Sequence, residues 1–228
     1  MSEPLFALVV GSSSGLGLEI ANYLLQEGYI VFGASRGDSP IEHENFSSME
    51  CDVRDEDSVI ALFDAIADET QGLTLVVNCA GVFDVAPLIE TESEVFVDHL
   101  STHVLGAFHI LKSLHPLLIQ GETHVVHLNS LAAKRGYAGL SAFSASKFAL
   151  TGLLQSVREE WRSLGVRFST LVPSAVDTPL WDEIEDVERD QMIDVDEFLH
   201  VFDMVVKAPA HLEFPELVVA HKTGGKAF

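Results

Sequence analysis

The chain has 228 residues, within the range of one α/β domain and long enough to bury a sizeable core. Hydrophobic residues make up 47%, which excludes a disordered chain, and no apolar run reaches the length of a membrane-spanning helix. The 13 basic and 35 acidic residues give a formal charge of −22, a balance that argues against nucleic-acid and membrane partners and for a cytoplasmic protein.

Residues 5–10 form a continuous apolar run, the pattern of a parallel strand covered on both faces. Met1-Ser2-Glu3-Pro4 ahead of it has no basic region, so the run reads as a strand and not as a signal peptide. Residues 16–26 carry apolar positions at helical spacing, and Gly28 ends them. Further strands are expected over 29–34, 49–53, 73–77, 123–128, 166–172 and near 217–220, and further helices over 56–70, 93–118, 144–164 and 195–206. This alternation implies βαβ units: a single α/β domain over residues 1–228, built as a Rossmann-type doubly wound parallel sheet with helices on both faces. The acidic stretch 181–197 is the one long irregular segment, and it follows the carboxyl end of a strand, where ligands bind in such folds. Cys51 and Cys79 fall at strand ends as small apolar residues, and no Cys/His spacing suggests a metal site.

Chemistry enters at Gly11-Ser12-Ser13-Ser14-Gly15-Leu16-Gly17, between the first strand and the first helix. Gly11 permits a tight turn, Gly15 lets backbone approach a pyrophosphate, and Gly17 allows close packing of helix on sheet. Ser13 and Ser14 add hydroxyl donors at the helix N-terminus, where free N–H groups favour phosphate. The loop therefore reads as a dinucleotide site.

The spacing G-x-x-x-G-x-G, followed in order by five further segments, resembles the short-chain dehydrogenase/reductase family. Asp52-Val53 is similar to the family's Asp–aliphatic pair, whose carboxylate bonds the adenine amino group. Asn78-Cys79-Ala80-Gly81 resembles its N-N-A-G motif, and residues 125–130 resemble the strand that ends in its catalytic Ser. Ala145-Ser146-Lys147 matches the A-S-K around its catalytic Lys. Pro173, Val176 and Thr178 match its P-G-x-V-x-T segment, with Ser174 in place of Gly, and Val10 stands where the loop usually has Thr. The resemblance implies a nicotinamide cofactor and a small-molecule carbonyl or alcohol substrate. It also implies a homodimer or homotetramer formed through the two long helices, with apolar positions such as Phe96, Leu100, Leu111, Leu150, Leu154 and Val157.

At the end of the second strand an NAD(H) site would place an acid for the ribose hydroxyls. Here Ser35 and Arg36 stand instead, a pair suited to a 2′-phosphate, so NADP(H) is favoured over NAD(H), with Asp38 nearby as the one opposing feature.

The family's catalytic row is Ser, Tyr and Lys, with an Asn on the preceding long helix. Ser130 and Lys147 occupy the Ser and Lys positions, Phe143 occupies that of the Tyr, and His103 that of the Asn. A positioned acid/base contributes roughly 10²- to 10⁴-fold in rate, so losing the phenol matters. Three readings follow: Phe143 is an engineered replacement, another donor such as Tyr137 or His103 acts, or the chain is a non-catalytic NADP(H)-binding sensor or partner subunit. Residues 178–195 are expected to form a substrate lid, with Leu180 and Trp181 as apolar contacts and acids Asp182, Glu183, Glu185, Asp186 and Glu188.

Overall fold

The structure is a computed structural model that describes residues 4–184 and 187–223, so Glu185 and Asp186 of the acidic segment lie outside the described residues. Seven strands form one sheet: β1 (Phe6–Val10), β2 (Ile30–Ser35), β3 (Phe46–Glu50), β4 (Leu75–Asn78), β5 (His124–Leu128), β6 (Arg167–Pro173) and β7 (Leu217–Val219). Their order is β3-β2-β1-β4-β5-β6-β7 and every pairing is parallel. The order reverses between β1 and β4, which opens a crevice at their carboxyl ends.

Two cores follow from this layout. One face of the sheet, carrying Leu8, Val76, Val125 and Phe168, packs on α2 (Glu56–Glu69), α4 (Gly106–Leu114) and α5 (Ser141–Trp161). The other face, with Val9, Val77, Val126 and Leu171, is covered by α1 (Gly15–Gln26) and α6 (Val195–Val206), whose Phe198 and Phe202 are fully buried. Burial on both faces explains why β1 and β4 read as uninterrupted apolar runs.

Two elements and one set of side chains differ from the sequence reading. The third strand is Phe46–Glu50, not 49–53: it lies at the sheet edge with mostly exposed side chains, while the apolar signal of Cys51 and Val53 marks the buried turn that leaves it. The expected helix over 93–118 is three pieces, α3 (Ser93–Leu100), a π-helical turn over Ser101–Leu105, and α4, closed by a short 3₁₀ turn over His115–Leu117. The Gly106 N–H bonds the Ser101 carbonyl, five residues back, and one inserted residue of this kind is invisible to hydrophobic periodicity. Leu111, Leu150 and Leu154 point into the chain's own core, so they are unavailable to a partner subunit. The apolar residues that α3, the π turn, α4 and α5 leave exposed are Phe96, Val97, Leu105, Phe108 and Phe148.

The sheet also buries histidines. His124 and His127 on β5 are both enclosed, and His127 has no hydrogen-bond partner on either ring nitrogen among the described residues. Burial pushes both pKa values down to about 3, helped at His127 by the charge of Lys147 and at His124 by that of Arg167. Between about pH 3 and the ordinary 6.5 the unfolded chain binds more protons than the folded one, so stability is full above 6.5 and falls as the pH drops. Each such histidine carries a slope of about 1.4 kcal/mol per pH unit across that window. His127→Gln is expected to flatten the pH dependence of the unfolding free energy by about this slope, measured by urea denaturation at a series of acidic pH values. An unchanged slope would refute the assignment.

Candidate active site

The carboxyl ends of β1, β4, β5 and β6 open into a single cleft of about 470 Å³. Its phosphate end is built by the turn from β1 into α1. A Cβ on Gly17 would stand 2.0 Å from the Gly11 carbonyl oxygen, so the helix meets the turn at a distance only glycine permits. Gly15 has φ +53°, and a Cβ there would meet nothing nearer than Thr178 at 4.0 Å, so this backbone faces open cleft. Ser14 caps α1 in extended conformation without a side-chain bond, leaving the helix's first N–H groups available to an anion. This cradle fits a pyrophosphate. Gly11, Ser13, Ser14, Gly15, Leu16 and Gly17 all line the cleft.

At the neighbouring rim Arg36 is exposed and lines the cleft, while the buried Ser35 hydroxyl donates to the Gly37 carbonyl at 2.6 Å. Asp52 and Val53 also line the cleft, with the Arg36 charge near enough to act on the Asp52 carboxylate. The Asp52 carboxylate accepts from Arg54 Nε and Nη2 at 3.0 and 2.7 Å, and this pairing holds its carboxyl below the usual carboxylate range. Arg54 Nη1 reaches on to Asp98 at 2.6 Å. Arg54 thus joins the site without having been singled out from sequence. Its position two residues after Asp52, in a turn, was the available signal.

Asn78 ends β4, and its Oδ1 accepts the Ala80 N–H at 3.1 Å, which shapes the Ala80-Gly81 backbone along the cleft floor. Ser130 follows β5 and its Oγ accepts the Ala132 N–H at 3.1 Å. Asn129, also missed from sequence, donates from Nδ2 to Thr151 Oγ1 at 3.0 Å and accepts the Ser130 N–H on Oδ1 at 3.0 Å. It thereby fastens the Ser130 turn to α5. Pro173, Val176 and Thr178 line the far wall, and Trp181 donates from its indole nitrogen to the Val176 carbonyl at 3.0 Å. Beyond them, Arg189 ties Asp177 and Asp182 together at 2.5 and 2.6 Å, so part of the acidic segment's charge is neutralised.

Ser130, Phe143, Lys147 and His103, the four positions singled out along the sequence, line the same cleft. The Phe143 ring packs edge-on against Phe83 (centroids 5.0 Å apart) and His103 (5.5 Å). Lys147 is buried, donates to the Leu128 carbonyl at 3.4 Å, and lies 5.5 Å from the Phe143 ring centroid. The π turn aims His103 between two elements. The Val82 N–H donates to its Nε2 at 3.1 Å, which leaves Nδ1 as the protonated nitrogen donating to Ser146 Oγ at 2.7 Å. Ser146 in turn donates to the Phe143 carbonyl at 2.7 Å. Burial and the Lys147 charge hold the His103 pKa well below its ordinary value, so the ring is neutral and both nitrogens are engaged.

Among the described residues no carboxylate acts on Lys147, and desolvation lowers its pKa from 10.5 to about 8. Below about pH 8 both folded and unfolded states hold the proton and the full desolvation penalty applies. Between about 8 and 10.5 the unfolded chain binds more protons, so the parent's stability rises with pH. Lys147→Met is therefore expected to stabilise the fold by on the order of 2–3 kcal/mol at neutral pH, with the gain vanishing toward pH 10.5. Urea denaturation of both forms across this range checks it, and a variant less stable than the parent at neutral pH sinks it.

With this geometry in view, the chain was compared with known proteins. The model of the short chain dehydrogenase family matches residues 5–189. A D-threitol dehydrogenase of Mycolicibacterium smegmatis is 32% identical over 193 residues, covering 77% of this chain and 73% of that protein. A 3-oxoacyl-acyl-carrier-protein reductase, FabG, of Vibrio cholerae is 27% identical over 190 residues, covering 80% and 78%. Among solved structures, an actinorhodin polyketide ketoreductase with NADPH superposes with a TM-score of 0.84 at 23% identity, over 99% of this chain and 100% of that one, a likeness of fold. Among the described residues no helix is long and apolar enough to cross a membrane. The family uses nicotinamide cofactors on small-molecule substrates, and its glycine loop, Ser and Lys are the groups that share this cleft: the chain belongs to the short-chain dehydrogenase family of oxidoreductases.

Proposed function

We propose that the chain is an NADP(H)-dependent carbonyl reductase or alcohol dehydrogenase. The observation that carries this reading is one cleft that joins a phosphate cradle with a cation at the ribose rim to a buried Lys147 beside Ser130. The absence of an acid at the end of β2 removes the repulsion a 2′-phosphate would meet, and the Arg36 guanidinium supplies an attraction. Lys147 supports the nicotinamide ribose, and its charge favours negative charge developing at the substrate oxygen. The Ser130 oxygen accepts from Ala132, and its hydroxyl donates to no group among the described residues, so the proton is available to a substrate oxygen. When bound, the reduced nicotinamide supplies the hydride. Residues 178–195 serve as the lid on the substrate side, where Trp181 and Phe83 pack at 5.0 Å and make the wall apolar.

A second reading rests on Phe143, which has no proton to give: a protein that binds NADP(H) without turnover and signals to a partner. The two readings separate on NADPH binding and ketone-dependent NADPH oxidation, measured for the chain and for Phe143→Tyr. The enzyme reading expects turnover by the chain and a higher rate for Phe143→Tyr. NADPH binding without turnover in either form establishes the second reading. Arg36→Ala is expected to weaken NADPH about tenfold or more while leaving NADH nearly unchanged, read by fluorescence titration. NADH binding as tightly as NADPH overturns the cofactor assignment.

The exposed apolar set Phe96, Val97, Leu105, Phe108 and Phe148 supports assembly with a second copy in a cytoplasmic homodimer or homotetramer. Sedimentation is expected to show a dimer or larger species that Phe108→Glu dissociates. A monodisperse parent monomer contradicts it.

A further inference from the structure

We propose that the Tyr137 hydroxyl delivers the proton that position 143 lacks. The inference rests on the oxidoreductase reading above and names the acid of that same site. The other groups near the reaction end are poorly placed for the task. Phe143 carries no exchangeable proton, and His103 has both ring nitrogens engaged, by Val82 and by Ser146. Ser130 has a free proton, but an aliphatic alcohol is a far weaker acid than a phenol.

Tyr137 lines the same cleft as Ser130, Phe143 and Lys147. Its hydroxyl oxygen is buried and makes no hydrogen bond among the described residues. A buried hydroxyl without a partner is costly, and an arriving ligand oxygen relieves that cost. The ring is also held in place. The Arg135 guanidinium lies 4.7 Å from its centroid, and the Tyr137 carbonyl accepts the Leu140 N–H at 3.2 Å. Gly139, at φ +76°, accepts the Ala86 N–H at 3.0 Å, so the loop is fastened to the segment after β4. The phenol is therefore preorganised rather than loose on the surface.

The carbonyl carbon gains a hydride from the reduced nicotinamide, which is thereby oxidised. The π electron pair moves to the carbonyl oxygen, which takes the proton from Tyr137 Oη, and the phenolate recovers a proton from solvent water. In the oxidative direction Tyr137 is the base.

Acetophenone, an apolar ketone suited to the walls formed by Phe83, Phe143 and Trp181, is the probe. Its dissociation constant is measured on the chain saturated with NADP⁺, and its NADPH-dependent reduction is followed in parallel. Tyr137→Phe is expected to weaken acetophenone about three- to tenfold, lower its turnover roughly 10²-fold or more, and leave NADPH affinity unchanged. Adding Phe143→Tyr to Tyr137→Phe is expected to restore turnover, which a merely structural loss would not allow. Acetophenone binding and turnover that Tyr137→Phe leaves unaltered overturn the assignment, as does a parent that binds NADPH but neither binds nor reduces the ketone. A parent that does not bind NADPH overturns the oxidoreductase reading itself.

Discussion

One close backbone approach governs the site. Gly17 sits so near the Gly11 carbonyl that any side chain would collide with backbone, and backbone does not rotate out of the way. This contact seats α1 directly on the end of β1. It leaves the helix's first N–H groups unpaired at the crevice where the strand order reverses. A parallel sheet buried on both faces cannot shift to compensate, because every strand is fixed by neighbours and by two helical layers. Cofactor cradle and sheet topology are thus one construction.

The opposite end of the cleft works under a different constraint. Lys147 is an ammonium in a dry place, held by the Leu128 carbonyl and the face of Phe143, with no carboxylate among the described residues to offset its desolvation. A fold under selection for stability alone would place an apolar residue there. The penalty is understandable if negative charge arrives with a ligand or develops in a reaction, for a cation in a low-dielectric site acts strongly on such charge. The same environment keeps His103 neutral, which lets it act as a latch between the chain after β4 and helix α5.

Much of this was legible along the chain. Apolar runs at 5–10 and 166–172 announced buried parallel strands, and the spacing of Gly11, Gly15 and Gly17 between a strand and a helix announced the cradle. The third strand was misplaced by a few residues because an edge strand, FSSME, carries no apolar run, while the turn beyond it does. The break at Ser101–Leu105 was hidden because a π turn adds one residue without disturbing composition or average periodicity. Arg54 and Asn129 escaped notice for a related reason. Each matters through a partner on another element, Asp98 for one and Thr151 for the other, and such pairings have no local signature.

The sequence by itself determined the family's architecture, the glycine-rich turn and the residue types at positions 103, 130, 143 and 147, since these depend on local propensity, burial pattern and residue type. Only the tertiary structure decided how those groups are employed. It showed that the Asp52 carboxylate is paired with Arg54, that both nitrogens of His103 are engaged, and that the Tyr137 hydroxyl is buried without a partner among the described residues. It also separated Leu111, Leu150 and Leu154 in the chain's own core from Phe108 and Phe148 on its surface. The physical reason is common to all of these. Hydrogen bonding and desolvation are set by which atoms from distant parts of the chain meet, and that is fixed by packing rather than by order along the chain.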